Sequence, residues 1–466
     1  MNNMCRDCML DKHLNRYPEG TPDEIVKEYQ EAVLKITDQP GAVPTGPEVF
    51  YQVKEVRRRL FGEGEMDYTE IKRHFNALML DIEAELERRV MESEDPLKSA
   101  VQYAMMGNFI DFAALDNVEE SRLMELIGRA PDITVDEECL EKLRDMAGGA
   151  RTLVLITDNC GEIVMDKILL RQILRMNPDV SVTVILRGAP VANDATMEDA
   201  EQVGLTQIGH CMGNGTATDG TVLRNLSREA REAIVHADVV IAKGQANYET
   251  LYGCACNVFY IFMCKCMLFM DRFKVPQFTG ILTFEDPEIL FNVYADENVL
   301  KKFRFRPARP DEGRRLGEID SICFPPNEAV PMDAIIEFAR LIPDQILIAQ
   351  DRESGEIAGF VSSMASDEER LRDAFFTDVT LHDKAAQTAF GLSLDVLPQF
   401  RDQGLARELV RLCGIWCQVK GRRRLVITAH EELVKMYERM GFKDLGISDS
   451  KWGGTVWHEM DRMLDA

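Results

Sequence analysis

A chain of 466 residues is longer than one hydrophobic core usually serves, so its length predicts two or three domains. Its composition, 45% hydrophobic and 29% charged, is that of a folded globular protein and excludes a fibrous or disordered chain. The formal net charge of −25 repels polyanions, so we expect neither nucleic acid nor an anionic membrane surface as a general partner. A phosphate-bearing ligand would need a local device, such as a bound cation or a helix N-terminus.

The sequence has no segment that indicates export or insertion into a membrane. The N-terminal residues lack the charged-then-apolar pattern of a signal peptide, and no run of eighteen apolar residues occurs. Twelve cysteines without such a signal indicate a reducing compartment, so we expect a cytoplasmic protein. The CxxC of Cys5 and Cys8 is distant from CAC (254–256) and CKC (264–266), which favours buried free thiols over a zinc or redox site.

Residues from about 21 to 146 have a helical pattern. Apolar residues recur at three- and four-residue spacing in EIVKEYQEAVLKI and in EIKRHFNALMLDIEAELERRVM, with Pro and Gly at the breaks. This pattern predicts a helical bundle or cap over about 1–146.

Beyond the break at 148–149, short apolar runs alternate with helical segments. Near-continuous apolar runs are typical of strands buried on both faces of a parallel sheet. They occupy 151–158, 180–188, 237–244 and 275–284. We therefore expect a doubly wound α/β core over about 150–285, which forms one domain, 1–285, with the helical cap.

An acidic stretch over 286–301 marks a second change of pattern, and we interpret it as a linker. Residues 302–466 then contain several predicted strands, among them QILIAQD, IAGFVSSMAS and FGLSLDVL, with helices between only some of them. This arrangement predicts a C-terminal α+β domain. Short basic runs at 57–59 and 422–424 are interpreted as a solvated helix face and a strand entrance rather than nucleic-acid contacts.

Polar side chains follow three of the predicted strands where each strand ends. Asp158 and Asn159 follow the first run, Asp194 follows the second, and Lys243 ends the third. Because the carboxyl ends of neighbouring parallel strands face one crevice, we expect these side chains to converge. The oxygens of Asp158, Asn159 and Asp194 suit Mg²⁺ or Mn²⁺, and Lys243 with Arg187 would attract a phosphoryl group. The pattern predicts metal-assisted phosphoester hydrolysis, against the alternative that the two aspartates only cap helices.

The same segments carry a family resemblance. TDNCGEIVMD, RGAPVANDAT and ADVVIAKGQANYETL, with GNFID (107–111) and CRDC (5–8), closely resemble the metal-dependent damage-control phosphatases of the ARMT-like domain family. The resemblance covers about 1–285. It implies that Asp158, Asn159 and Asp194 bind a divalent metal, which would be Mn, Mg, Co or Ni, and that Asp158 is catalytic.

The resemblance also assigns the substrate side of the crevice. It implies that Lys243 and Asn247 contact the substrate phosphate, beside Arg187, while Asn108 and Asp111 line the same cleft. The substrate would be a small phosphorylated metabolite. A carboxyl methyltransferase is the weaker alternative, because no glycine-rich nucleotide loop follows a first strand. A metal-stabilised scaffold is the other alternative.

A second candidate site lies where the predicted strand LSLDVL leads into a helix. Small residues and free amides at a helix N-terminus favour a pyrophosphate, because unsatisfied N–H groups and the helix dipole both attract an anion. The alternative is a plain turn before a helix. The residues that open this helix are Arg401, Gln403, Gly404 and Ala406.

Residues 302–466 resemble the GCN5-related N-acetyltransferases, and their arylalkylamine branch in particular, in DEERLRD, LDVLPQFRDQGLA, VKMYERMGF and GGTVWHEM. The resemblance implies acetyl-CoA as cosubstrate and a small amine as acceptor. Leu394 and Val396 would present backbone to the pantetheine arm, and the amides of 403–406, that of Leu405 included, would hold the pyrophosphate. Tyr437 would protonate the departing thiolate as general acid.

The general base is the point at which the sequence departs from that branch. The positions that carry His bases in the animal arylalkylamine enzymes are Phe390 and Leu392 here. The base is therefore a water chain or another residue, with His430, Glu431 and Asp395 as candidates. We expect a bifunctional enzyme of unspecified oligomeric state, with an acetyl-CoA sensor that does not transfer as the alternative for this domain.

Overall fold

The computed structural model of the protein describes residues 3–38, 45–63, 67–109, 125 and 127–464. The described chain divides into two compact units. The first unit extends to Glu285 without 252–255, and the second extends from Asp286 and includes 252–255. In these ranges no helix is both long enough and apolar enough to cross a bilayer.

Helices precede the sheet of the first unit, as the periodicity predicts. Apolar residues on one face of the second and third helices form a small core that contains Tyr29, Val33 and Val49. The fourth and fifth helices pack on the main core instead. These helices are α1 (Asn3–His13), α2 (Asp23–Thr37), α3 (Gly46–Phe61), α4 (Thr69–Glu92), α5 (Pro96–Phe109) and α6 (Glu137–Gly149).

A six-stranded sheet forms the centre of the first unit. Its strands are β1 (Thr152–Ile156), β2 (Ser181–Leu186), β3 (His210–Gly213), β4 (Val239–Lys243), β5 (Val258–Met263) and β6 (Gly280–Phe284). The spatial order is β3-β2-β1-β4-β5-β6, and β1 pairs in parallel with both β2 and β4. The direction of winding therefore reverses between β1 and β4, which is where ligands bind in such sheets.

Helices connect these strands, so the predicted doubly wound α/β fold is confirmed. They are α7 (Glu162–Met176), α8 (Met197–Val203), α9 (Arg228–His236), α10 (Gln245–Leu251) and α11 (Met267–Phe273). The first of these follows β1 directly, and its first turn faces the carboxyl end of the sheet.

The strand prediction was wrong at one edge of this sheet. The run at 275–284, expected as a buried parallel strand, contains β6, which pairs antiparallel with β5. The buried parallel strand is β5, whose six residues VFYIFM are all buried. Because its apolar run continues to 270 with a single lysine, at 265, no polar end marked it as a strand.

The second unit contains an antiparallel sheet with one parallel pair. Residues 286–301, predicted as a linker, form its first two helices. Its elements are α12 (Pro287–Tyr294), α13 (Glu297–Leu300), β7 (Phe303–Pro307), α14 (Gly313–Cys323), α15 (Met332–Leu341), β8 (Ile346–Asp351), β9 (Ile357–Ser366), β10 (Thr388–Val396), α16 (Leu405–Val419), β11 (Arg424–Ala429), α17 (Glu431–Glu438), β12 (Lys443–Ile447) and β13 (His458–Met463).

The parallel pair in this second sheet is β10 with β11. The strand order is β12-β13-β11-β10-β9-β8-β7. β10 and β11 pair only from Thr388 to Phe390, opposite Arg424 to Val426, although both strands continue beyond that point. Their carboxyl halves therefore separate and leave backbone on both strands available to a ligand.

Candidate functional site

Loops meet at the carboxyl ends of β1 and β2. Asn159 and Asp194 pair through an isolated antiparallel bridge. The N–H of Ala195 donates to the Asp158 carbonyl oxygen at 2.8 Å, and the N–H of Arg187 donates to the Ala195 carbonyl oxygen at 3.0 Å. Backbone hydrogen bonds therefore fix the two loops to each other and hold Asp158 and Asp194 in one crevice.

Two side-chain amides orient the Asp158 carboxylate. Its Oδ2 accepts from Asn108 Nδ2 at 2.8 Å and from Asn159 Nδ2 at 2.9 Å. Both amides also donate to Glu162 Oε2, at 3.1 and 3.0 Å. Asn108 of α5 thus lies in the crevice, whereas Asp111, named with it from the resemblance, lies outside the described residues.

The buried Arg187 guanidinium lies between two carboxylates. Its Nε donates to Asp194 Oδ2 at 2.5 Å, and its Nη2 is 3.7 Å from Asp158 Oδ1. Nη1 donates to the Gly220 carbonyl oxygen at 2.6 Å. One cation therefore fixes both aspartates that the sequence analysis singled out.

Lys243 is completely buried and forms a second ion-pair cluster. Its Nζ is 2.5 Å from Glu162 Oε1 and 2.7 Å from Asp166 Oδ1, and it donates to the Ala104 carbonyl oxygen at 2.9 Å. Burial alone would lower the pKa of Lys243, but the charges of Asp166 and Glu162 outweigh burial and raise it. The ammonium therefore neutralises two carboxylates, and its contact with a substrate phosphate stays a prediction.

Asn247 is fully buried and joins β1, β4 and the Arg187 loop. Its Nδ2 donates to the carbonyl oxygens of Thr157 at 3.0 Å and Lys243 at 2.6 Å. Its Oδ1 accepts from Thr221 Oγ1 at 2.8 Å and lies 3.4 Å from Arg187 Nη1. Asn247 thus connects the ends of two neighbouring strands, and its predicted phosphate contact is likewise untested by this geometry.

The crevice carries more negative charge than its cations balance. Burial raises the pKa of the Asp158 carboxyl well above its usual range, and the charges of Asp194 and Glu162 raise it further. Burial also raises the pKa of Asp194, although the Arg187 guanidinium opposes that rise. A cation placed between these carboxylates would favour their ionised forms.

The ligands that this crevice offers to a metal are oxygens. They are the carboxylates of Asp158 and Asp194 and the amide Oδ1 of Asn159, which accepts from Asn193 Nδ2 at 2.9 Å. Among the residues that the structure describes, no group of three or more His, Cys, Asp or Glu side chains is arranged to hold a metal ion. Two carboxylates with one amide are nevertheless a donor set that fits Mg²⁺ or Mn²⁺, which retain waters in their coordination shells.

The cysteines provide no comparable site. No disulfide joins them, and all twelve are free cysteines. The preference for free thiols over a zinc or redox site stays a prediction. Cys5 is half-buried, and its surroundings raise the pKa of its thiol to about 12, chiefly through burial. Cys8 is exposed, so the expectation of burial does not hold for every member of the CxxC.

The second unit has a cavity of about 890 Å³ where β10 and β11 separate. This volume is large enough for a cofactor arm and an acceptor. The predicted cofactor residues that line it are Leu394, Val396, Arg401, Gly404, Leu405 and Ala406. Gln403 does not line it, because its exposed side chain accepts from Lys302 Nζ at 3.2 Å instead.

The N-terminus of α16 forms one wall of this cavity. Gly404 has φ +79° and nothing near its Cβ position, so it turns the chain into the helix without obstructing the entrance. The N–H groups of the first turn from Leu405 onward have no partner within the helix, which makes them donors for an anion. Arg401 Nε donates to the Val396 carbonyl oxygen at 3.1 Å and thereby fixes the turn.

Tyr437 of α17 also lines this cavity. It is 8% exposed, and its ring packs edge-on against Phe442 with centroids 5.7 Å apart. Burial raises the pKa of the Tyr437 hydroxyl to about 12, so it is protonated throughout the physiological range. A protonated phenol at this position is able to donate to a leaving thiolate.

The three candidate bases differ in their positions. His430 lines the cavity, and its Nε2 is 3.0 Å from Glu328 Oε2. Asp395 is fully buried and is not among the residues that line the cavity, and Glu431 is exposed. Phe390 stands at one of the two positions that carry His bases in the arylalkylamine enzymes. Its ring packs on Phe375 with centroids 4.8 Å apart, so this residue belongs to the hydrophobic core.

The sequence analysis named Asp395 but missed Asp320, which lines the cavity and forms an acid pair with Asp395. Ser393 Oγ donates to Asp395 and lies 3.2 Å from Asp320 Oδ1. Burial raises the pKa of Asp320 to about 6, and burial together with the charge of Asp320 raises the pKa of Asp395 well above its usual range. Asp320 comes from α14, far from β10 in the chain, so no sequence motif joined the two.

The family model for the damage-control phosphatase ARMT1-like domain matches residues 1–279. The chain belongs to this family. It is 27% identical over 268 residues to a damage-control phosphatase of Archaeoglobus fulgidus, and the match covers 56% of this chain and 91% of that protein. It is also 34% identical over 181 residues to the damage-control phosphatase PH1575 of Pyrococcus horikoshii, covering 38% of this chain and 61% of that protein. The crystal structure of PH1575 aligns with 24% identity and a TM-score of 0.49 over 61% of this chain and 99% of that chain.

The family model for GNAT acetyltransferases matches residues 314–442, so a GNAT domain follows the phosphatase domain. The loading GNATL domain of CurA from Lyngbya majuscula aligns with 16% identity and a TM-score of 0.31, over 35% of this chain and 98% of that domain. These matches do not distinguish the arylalkylamine branch, which stays a prediction.

Glu162 and Asp166 complete the crevice of the phosphatase domain, and the sequence analysis left them out. They lie one helical turn apart on α7, so both reach the same side and meet Lys243. A glutamate in the first turn of a helix is common because it favours the helix dipole, so its position alone was no signal. The usable signal was Asp166, a second acid four residues after Glu162 on an otherwise apolar face of the helix, because two acids there indicate a buried cationic partner.

Replacing Gly244 with Ala is expected to destabilise the phosphatase domain and displace Asp158. Gly244 has φ +81°, and an added Cβ would lie 2.0 Å from Asp158 Oδ2. Gly62 has φ +66° with open space, so Gly62→Ala measures backbone strain alone, about 1 kcal/mol. We expect Gly244→Ala to lower the free energy of unfolding by about 2 kcal/mol more than Gly62→Ala, as measured by urea denaturation. Equal losses in the two variants would show that the contact is unimportant.

Proposed function

We propose that the phosphatase domain hydrolyses the phosphomonoester of a small metabolite with a divalent cation bound by Asp158, Asn159 and Asp194. The observation that carries this proposal is the charge of the buried cluster. Four carboxylates face two cations, so the fully ionised cluster has a formal charge of −2, which one divalent cation would neutralise. The six groups are Asp158, Glu162, Asp166, Asp194, Arg187 and Lys243.

The protein groups have separate roles in this proposal. When bound, the cation polarises the phosphoryl group and activates the attacking water. Asn108 and Asn159 both donate to Asp158 Oδ2 and so fix the orientation of that carboxylate. Arg187 holds Asp194 and supplies positive charge where charge develops on the phosphoryl oxygens.

Lys243 supports this site by holding other groups in place. Its three N–H bonds are directed to Glu162, Asp166 and the Ala104 carbonyl oxygen. Contact with a substrate phosphate would require one of these partners to be displaced. Nη2 of Arg187 has only long contacts, 3.4 Å to Asn247 Oδ1 and 3.7 Å to Asp158 Oδ1. We therefore assign the direct phosphate contact to this nitrogen, with Asn247 positioning it, and assign charge compensation to Lys243.

We expect kcat/KM to fall by about a thousandfold or more in each of two variants, Asp158→Ala and Asp194→Asn. Each substitution removes a proposed metal ligand and a carboxylate that pairs with the buried Arg187 guanidinium. The assay is phosphate release from a panel of phosphorylated metabolites with Mn²⁺, Mg²⁺, Co²⁺ or Ni²⁺. Asp238→Asn is the matched control, since Asp238 accepts from Arg151 and Thr152 at the amino end of the same sheet. Hydrolysis that survives chelation or Asp158→Ala would contradict the proposal.

We also propose that the GNAT domain transfers an acetyl group from acetyl-CoA to a small amine. Support comes from one cavity that is lined both by the start of α16 and by Tyr437. The amine nitrogen would attack the thioester carbonyl, the C–S bond would break, and the thiolate would take the Tyr437 proton. His430, hydrogen-bonded to Glu328, is the base we assign to the amine proton, because of the three candidates it is the one that lines the cavity.

Tyr437→Phe is expected to lower kcat for acetyl transfer by about 10- to 100-fold with little change in the KM for acetyl-CoA. Phe retains the ring packing on Phe442, so the loss reports the hydroxyl. Because the pKa of Tyr437 is raised to about 12, its acid form persists as the pH rises, and activity should show no alkaline fall below about pH 10. CoA release measured from pH 6 to 10 checks both expectations, and an unchanged kcat would remove Tyr437 from the mechanism.

Ala406→Glu is expected to weaken acetyl-CoA binding by about tenfold or more, because it adds a negative charge beside the proposed pyrophosphate position. Ala406→Ser is the matched control, since it keeps a small side chain, and calorimetry on the full chain measures both. Tight binding of acetyl-CoA by the unmodified chain without transfer to any amine would favour the sensor over the transferase. We propose these small molecules as partners of a cytoplasmic protein, without nucleic acid or membrane.

A further inference from the structure

The phosphatase domain contains a cavity of about 550 Å³ between α1 and α3. Its lining is strongly basic, with five permanent cations and one carboxylate, in a chain whose net charge is −25. We refer to it as the basic cavity. Its charged lining residues are Lys12, Arg16, Lys54, Arg57, Arg58 and Glu63.

Two segments bring the cations together. Lys54 and Arg58 are four residues apart on α3 and share one side of that helix, while Lys12 lies in the last turn of α1 and Arg16 follows that helix. Apolar residues of α1 and α3 pack into the small core beside them. The interpretation of 57–59 as a solvated face therefore holds for Arg59, which does not line the basic cavity.

The cations are only partly neutralised by neighbours. Arg57 forms two hydrogen bonds to Glu63, at 2.7 and 2.6 Å, and Arg58 Nη1 is paired with Glu55 Oε1 at 2.9 Å. His13 also lines the cavity, and its pKa is lowered first by burial and then by the charges of Arg57, Lys12 and Arg16. The potential inside the basic cavity is therefore positive, against the field of the whole chain.

The basic cavity adjoins the metal crevice. Ala192 lines it and lies two residues before Asp194 in the loop that follows β2. Lys54 is close enough to Asp219 for its charge to stabilise that carboxylate, and Asp219 in turn stabilises the Arg187 cation. A small ligand held at the crevice therefore has a cationic wall beside it.

We propose that the basic cavity binds a second anionic group, a phosphate or a carboxylate, of the metabolite whose phosphoester lies in the metal crevice. The substrate class is then a phosphorylated metabolite with two anionic groups. This inference rests on the proposed phosphatase function for the first group only. Lys12 and Arg16 are exposed and free to reorient around an anion, and the guanidinium of Arg16 is able to bind it through two N–H groups.

Calorimetric titration of the full chain with Mg²⁺ or Mn²⁺ present tests the proposal, with the ligands below used as phosphonate analogues that cannot be hydrolysed. We expect fructose 1,6-bisphosphate to bind about tenfold more tightly than fructose 1-phosphate. The double variant Lys12→Ser/Arg16→Ser should reduce this preference to about threefold or less, because both side chains line the basic cavity. Lys27→Ser/Arg59→Ser removes the same charge from exposed positions outside it and should leave the preference unchanged.

Two further arms separate the possible sources of the anion. In 6-phosphogluconate the second anionic group is a carboxylate. If this ligand also binds more tightly than fructose 1-phosphate, the basic cavity accepts either group. Inorganic phosphate that strengthens fructose 1-phosphate binding as much as the linked second phosphate does would overturn the proposal, because the anion would then bind independently. An unchanged preference in Lys12→Ser/Arg16→Ser, or an equal fall in the control, would also overturn it. A retained preference without hydrolysis of any ester would contradict the proposed phosphatase function alone.

Discussion

The fully buried ion pairs of Lys243 with Glu162 and Asp166 are the constraint on which the phosphatase domain is built. A buried ammonium costs several kcal/mol unless carboxylates and hydrogen bonds compensate it, so β4 and α7 must stay together. The third donor of Lys243 reaches the Ala104 carbonyl oxygen of α5. The helical region is therefore held to the sheet by the same cation that balances the crevice, and the cluster is structural as well as electrostatic.

Asn108 extends this constraint from the fold to the chemistry. Its Nδ2 donates to both Asp158 and Glu162, and its Oδ1 accepts from the N–H of Met263 at the end of β5. One amide thus connects α5, β5 and the two carboxylates. Because every polar atom of Asn108 has a partner, the Asp158 carboxylate is oriented before any ligand arrives, which is the arrangement that electrostatic catalysis requires.

The sequence identified the residues that follow strands and missed those that come from helices. Asp158 and Asp194 were predicted to meet because parallel strands end at one edge of the sheet, and this rule needs no side-chain detail. Glu162 and Asp166 were missed because acids at the start of a helix have an ordinary explanation. Asp320 was beyond the reach of any motif, since only the packing of α14 against β10 brings it to Ser393. The sequence also could not show that β6 is an antiparallel edge strand, because an edge strand and a buried strand of similar length share the same apolar composition.

The two domains solve one electrostatic problem in different ways, and the difference follows from their sheets. In the first sheet, parallel strands bring several carboxylates to one edge, so the crevice has an excess of negative charge that the proposed metal cation would offset. In the second sheet, β10 and β11 separate, and the exposed start of α16 supplies N–H donors without any added charge. The proposed site in the first sheet would therefore need an added cation, whereas the proposed cofactor site in the second sheet needs the small residues Gly404 and Ala406 that leave the helix terminus open. The net charge of −25 repels long polyanions, which favours small ligands at both sites.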